Sequence, residues 1–217
     1  GNLYLGTNQG LFVTPLDSFS SSGDLKLVEN TAGQVWTLEE FGGQLLCGHN
    51  KGTFIVNGTT ARNICDIEGA WKYIPLKDDP ELLIAGHYQG LVLLRKTDNQ
   101  WKFYKKVKGF EESSRYLFQD QDGNIWVGHS GKGIFRLKID MDEARVTELA
   151  RYNENNGLPS GLGNILLRHG EKLFVATDKG NFEYDNVTDA FVPSAGIKEI
   201  FGDAGKLKSL APDNKGI

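Results

Sequence analysis

Residues Asp120 to Arg136 read DQDGNIWVGHSGKGIFR, and this stretch decides the fold. Asp122-Gly123-Asn124 is turn chemistry, because glycine accepts positive φ and Asp and Asn side chains bond their own backbone. Ile125-Trp126-Val127 is too short and too β-prone for a helix. Gly128 and Gly131 to Gly133 turn the chain again, and Ile134-Phe135 starts a return strand. Alone this is a hairpin, but the chain repeats it: NLYLGTNQGLF (Asn2 to Phe12), QLLCGHNKGTF (Gln44 to Phe54), ELLIAGHYQGLV (Glu81 to Val92) and KLFVATDKGNF (Lys172 to Phe182). Gly6, Gly48, Gly86, Gly128 and Ala176 anchor the copies at a period of roughly 40 residues, the signature of propeller blades.

The spacing predicts four antiparallel strands, A to D, in each repeat. Blade four runs Ser114 to Asp120, Asn124 to His129, Gly133 to Asp140 and Ala144 to Asn153. Blade three runs Trp71 to Lys77, Glu81 to His87, Gly90 to Lys96 and Gln100 to Val107. Blade two uses Val35 to Phe41, Gln44 to His49, Thr53 to Asn57 and Arg62 to Ile67; blade five uses Asn164 to His169, Lys172 to Thr177, Asn181 to Asp185 and Ala190 to Pro193. The head, to about Asn30, supplies B, C and D without an A, while Lys206 to Asp213 supplies an A without a B, so one blade is split between the two ends. The expected fold is an all-β propeller of about five repeats over residues 1-217, with blades at 1-30 plus 206-217, 31-68, 69-108, 109-157 and 158-205. Either the ring closes within the chain or the segment is an arc of a larger array.

Composition agrees. The 217 residues carry 27 Gly against 6 Pro and a formal charge of −4, which excludes a broadly basic nucleic-acid binder. No apolar run reaches membrane-span length. Cys47 and Cys65 lie on strands B and D of one blade, too far apart for a disulfide. No nucleophile elbow, phosphate loop or zincin motif occurs, and the close carboxylates Asp120/Asp122 and Asp78/Asp79 read as AB-turn residues. No catalytic residue, metal or cofactor is expected.

The Asp-x-x-Gly-Asn-Ile-Trp-Val-Gly pattern at Asp120 to Gly128, with Gly133-Ile-Phe-Arg136 after it and Gly157-Leu-Pro-Ser160 ahead of a strand, resembles the regulator-propeller repeats of two-component sensors in Bacteroides-type bacteria. The resemblance extends across the chain, although blade five carries Ala176 for the glycine and blades two and three lack the tryptophan. It implies an extracytoplasmic, periplasmic sensing domain that binds a small molecule or glycan fragment, without catalysis, and passes the signal to transmembrane or kinase modules outside this segment. A docking or self-associating scaffold, including a homodimer, is the alternative, and a propeller lyase or hydrolase a third. Nucleic acid and direct membrane contact are not expected.

BC turns and DA loops share one end of each blade, the natural ligand face. Sugar sites use flat aromatic faces with amides, carboxylates and guanidinium groups, and this rim offers Trp36, Trp71, Tyr88, Arg115, Tyr116, Asn155 and Asn156. His49, His87 and His129 occupy one repeat position, where Thr7 and Thr177 stand in the other copies. They join the ligand-face residues, but stacked sheets about 10 Å apart oppose a shared metal, and exchange with Thr predicts a common hydrogen-bonding role. Trp126, Tyr4 and Phe174 are expected between blades. Trp101, Phe103 and Tyr104, among Lys102, Lys105, Lys106 and Lys108, read as a charged outer edge that discourages strand addition, with a local anionic partner as the alternative.

Overall fold

The computed structural model describes residues 1–17 and 25–194. The chain divides into two compact units, Gly1–Ser114 and Arg115–Ile217. The first holds three antiparallel sheets. β1 (Asn2–Gly6), β2 (Leu11–Pro15) and β3 (Lys26–Leu27) form a three-stranded sheet in that order; β4 (Val35–Phe41), β5 (Gln44–His49), β6 (Gly52–Asn57) and β7 (Thr60–Cys65) form the second. β8 (Lys72–Pro75), β9 (Leu82–His87), β10 (Gly90–Thr97) and β11 (Gln100–Lys106) form the third. In the second unit, β12 (Tyr116–Gln119), β13 (Ile125–His129), β14 (Gly133–Asp140) and β15 (Arg145–Tyr152) make one four-stranded sheet. β16 (Ile165–His169), β17 (Lys172–Thr177), β18 (Gly180–Asp185) and β19 (Ala190–Pro193) make the other. These sheets are the blades of an all-β propeller fold. The A strand expected at Lys206 to Asp213 lies outside the described residues.

Each four-stranded sheet is a meander because its neighbouring strands are joined by turns too short for anything but antiparallel return. Several expected boundaries move by one or two residues, as Trp71 to Lys77 shortens to Lys72–Pro75 and Ser114 to Asp120 to Tyr116–Gln119. β7 starts at Thr60, not Arg62, since Asn57 pairs with Thr60 across a two-residue turn, Gly58-Thr59. Gly58, at φ 60, suits a tight hairpin turn.

Packing between sheets explains the anchor glycines. A Cβ on Gly48 would lie 2.4 Å from the Ala70 carbonyl oxygen, and one on Gly128 would lie 3.0 Å from Leu166 Cβ. The B-strand glycine is where the next sheet's first strand makes its closest approach. The cores lie between sheets: Leu11, Val13 and Val28 against Cys47, Phe54 and Val56, then Leu46 and Ile55 against Tyr73, Leu83, Leu94 and Trp101. In the second unit Trp126, Ile134 and Tyr152 pack against Leu166, Leu173, Val175 and Phe191.

Trp101 corrects the expectation of a charged edge. It is 2% exposed, its Nε1–H donates to the Phe41 carbonyl at 3.0 Å, and Gln44 Oε1 accepts its backbone N–H at 3.0 Å. The ring lies on the preceding sheet through these two bonds, whereas Phe103 and Tyr104, further along the strand, are outside at 45% and 37% exposure. The two cysteines are free and buried, and burial pushes the Cys47 thiol up to about 12.

Candidate ligand-binding site

Hydrogen bonds bring the BC turns and DA loops to one end. In the first unit the Val35 N–H donates to the Thr7 carbonyl at 2.9 Å, Ala70 to His49 at 3.2 Å and Ser114 to His87 at 2.9 Å, so each sheet's entry is tied to the preceding B strand. In the second unit Gly133 donates to Gly161 at 3.0 Å and Gly163 to Ser130 at 2.8 Å.

Histidine and threonine exchange at the head of the BC turn because both place an acceptor over the same backbone N–H. Thr7 Oγ1 accepts from Gln9 at 3.0 Å, His49 Nδ1 from Lys51 at 3.0 Å, His129 Nδ1 from Gly131 at 2.9 Å and Thr177 Oγ1 from Lys179 at 3.1 Å. His49 Nε2 reaches the Thr31 carbonyl at 3.2 Å. With Nδ1 accepting, Nε2 must carry the hydrogen, and burial lowers this imidazole's pKa.

His87 departs from the pattern. Its Nδ1 faces the Ile67 carbonyl at 2.8 Å, so Nδ1 carries the hydrogen and Nε2 is a buried acceptor with no described partner. Burial lowers its pKa to about 4. His49 and His87 are both 0% exposed, so neither presents a ring to a ligand here; their work is to hold the turns. Among the described residues no group of three His, Cys, Asp or Glu side chains is placed to hold a metal ion.

Three of the sequence-selected aromatics do meet. Trp36, at the start of β4, and Trp71, just before β8, have ring centroids 4.3 Å apart at 37°. Tyr88, in the BC turn of the third sheet, stands edge-on to Trp36 at 6.4 Å and to Trp71 at 5.3 Å. Trp36 Nε1–H donates to the Tyr88 hydroxyl at 3.0 Å. Gly69, at φ +77, leaves room for the Tyr88 ring, since a Cβ there would fall 2.1 Å from Cδ1. All three rings are half-buried, and Glu68 and Gln89, from the same two loops, are exposed.

The remaining residues lie in the second unit. Arg115 is exposed, with its guanidinium 5.7 Å over the Tyr116 ring. Asn155 and Asn156 belong to a single 3-10 turn, Glu154–Asn156, capped by Asn153; His129 is half-buried beside its turn.

Two clefts were not anticipated. One of about 930 Å³ in the first unit is lined by Glu29, Asn30, Gln44, Asn57, Arg62 and Gln100, among others. Another of about 610 Å³ in the second is lined by Asp122, Trp126, Glu171, Tyr184 and Asp185, among others. No sequence-selected ligand residue lines either. The carboxylate pairs are turn residues as expected: Asp120 accepts from the Asn124 N–H at 2.8 Å and from Trp126 Nε1–H at 2.8 Å, and Asp79 accepts from the Glu81 N–H at 3.1 Å and pairs with Arg95 at 3.0 Å.

Residues 109–131 match the family model described as two component regulator propeller. The match covers β12 and β13 of the fourth sheet. The extracellular domain of BT4673 from B. thetaiotaomicron, assigned as a one-component system, superposes with a TM-score of 0.61 at 14% identity, over 90% of this chain and 29% of that one. The WD40 propeller domain of Doa1 superposes at 0.58 with 15% identity, over 97% and 68% of the two chains. Virginiamycin B lyase from Staphylococcus aureus does so at 0.57 with 11% identity, over 90% and 67%. At these identities the likeness is one of fold, shared by an extracellular domain of a one-component system and a lyase alike, and the chain spans under a third of the BT4673 domain's length. No curated protein matches it in sequence. Among the described residues no helix is long and apolar enough to cross a membrane.

Proposed function

We propose that this chain is a ligand-binding part of an extracytoplasmic two-component-type sensor, non-catalytic, with an oligosaccharide as its ligand. The observation that carries the reading is the Trp36–Trp71–Tyr88 cluster at the turn end of the first unit. Partly buried aromatic rings suit the apolar face of a pyranose ring, while the exposed Glu68 carboxylate and Gln89 amide suit its hydroxyls. The regulator-propeller repeat at 109–131 and the BT4673 extracellular domain support a sensor outside the cytoplasm. Signal output then belongs to modules beyond this segment. The non-catalytic part of the reading is supported by the carboxylates of Asp120 and Asp79, which are committed to turns and an ion pair.

A thermal-shift screen of glycan fragments tests it. A ligand at a hundredfold excess over its dissociation constant adds about 2.7 kcal/mol of stability. A fragment that raises the midpoint of the wild-type chain but not of Trp71→Ala is the expected result; a panel without any shift would remove the reading.

A further inference from the structure

The edge formed by β10 and β11 carries a surface that the sensing site does not use. From Arg95 to Lys108 the sequence places six basic residues against a single acid, Asp98, in a chain of net charge −4. Phe103 and Tyr104 stand among them at 45% and 37% exposure. Between the pairs Leu93↔Lys105 and Leu94↔Phe103 the register shifts, which makes Tyr104 the extra residue of a β-bulge. Its ring is bracketed by cations, with the Arg95 guanidinium 5.1 Å and the Lys105 ammonium 4.9 Å from the centroid. A bulge and lysines already protect an edge strand from further pairing. Two exposed aromatic rings add nothing to that protection and cost solubility, so they call for another explanation.

The ion pairs nearby leave the strip available. Arg95 is held by Asp79 at 3.0 Å, but Lys102–Asp98, at 3.2 Å, and Lys106–Glu111, at 2.7 Å, are solvent-exposed, and such pairs are worth little and exchange readily. A protein partner would require roughly 1,600 Å² with an apolar centre, whereas two rings on a single strand make a narrow line. A linear polymer fits a line. Its sugar faces would rest on Phe103 and alongside Tyr104, and its anionic groups would meet Lys102, Lys105 and Lys108, while Arg95 stays with Asp79 at 3.0 Å.

We propose that the β10–β11 edge binds an acidic polysaccharide, one bearing carboxylate or sulfate groups, independently of the Trp36–Trp71–Tyr88 site. Biolayer interferometry with immobilised polygalacturonate, dextran and single-stranded DNA tests this. The expected result is binding to polygalacturonate and not to dextran, about tenfold weaker at high than at low salt. Lys102→Glu with Lys105→Glu should weaken it at least tenfold. Tyr104→Ala, which keeps the charge, should weaken it several-fold, while Trp71→Ala should leave it unchanged. Unaltered thermal midpoints establish that the variants are folded. The proposal is overturned by absence of binding, by binding that none of the edge variants weakens, by loss with charge reversal but none with Tyr104→Ala, or by single-stranded DNA binding as tightly as polygalacturonate.

Discussion

Two aromatic clusters of similar composition do opposite work. At the seam between the fourth and fifth blades, Trp126, Tyr152 and Phe191 are at most 1% exposed, and the side-chain polar groups of Trp126 and Tyr152 are paired. Trp126 Nε1–H donates to Asp120 at 2.8 Å. Asp189 accepts from the Tyr152 hydroxyl at 2.7 Å, from the Tyr184 hydroxyl at 2.5 Å and from Arg136 Nη1 at 2.9 Å. The Arg136 guanidinium lies 5.5 Å from the Trp126 and Tyr152 rings. Trp36, Trp71 and Tyr88 instead sit at a turn end, half-buried. The difference is position: Trp126, Tyr152 and Phe191 lie in a core cluster shared by two neighbouring sheets, whereas Trp36, Trp71 and Tyr88 stand at strand ends and in a turn.

The sharpest way to break that comparison is Trp126→Ala, expected to cost about 3–5 kcal/mol, as for large-to-small changes in a closed core, measured by urea unfolding. A loss below about 1 kcal/mol would mean that the seam is not the packed core described. Next is the histidine beneath the open cluster. His87 is neutral in the fold with a pKa of about 4, below the roughly 6.5 of an unfolded chain. The unfolded state therefore takes up the proton first. Stability is fully present above about pH 6.5 and falls as pH drops toward 4, by about 3 kcal/mol at most. His87→Gln should flatten that part of the pH–stability curve; an unchanged slope would contradict the buried neutral imidazole.

A smaller effect belongs to the clamp. Hydrogen bonds from Tyr184 and Tyr152, and then the Arg136 charge, hold the Asp189 carboxyl below its ordinary range. Its contribution is present above the unfolded aspartate pKa of about 3.9 and is lost as pH falls through the lower folded value. Asp189→Asn should cost about 1–2 kcal/mol at neutral pH, on the scale of hydrogen bonds to a charged group, and soften the acid limb below about pH 4. A destabilisation independent of pH would remove the carboxylate from the clamp.

Most of the blade architecture was legible because it repeats at short range. Val35–Phe41, Gln44–His49, Gly133–Asp140, Lys172–Thr177 and Ala190–Pro193 are bounded by glycine and Asx turns that can be read locally. The burial of Trp101 was not legible, since it depends on Phe41 and Gln44, 60 and 57 residues away. The Arg136–Asp189 contact likewise spans 53 residues and leaves no local pattern. Of the ligand-face residues, the meeting of Trp36, Trp71 and Tyr88 followed from their shared end of the blade. The enclosure of His49 and His87 did not, because Thr31 and Ile67 reach them from loops whose path the repeat does not specify.

The most direct measurement is isothermal titration of the wild-type chain, Trp71→Ala and Trp36→Ala with any glycan fragment that raises the wild-type midpoint. Both substitutions should abolish detectable binding, a loss of at least tenfold in affinity, while each folded variant keeps its cooperative unfolding transition. Undiminished binding by either variant would show that the open cluster is packing after all and that the ligand is recognised elsewhere.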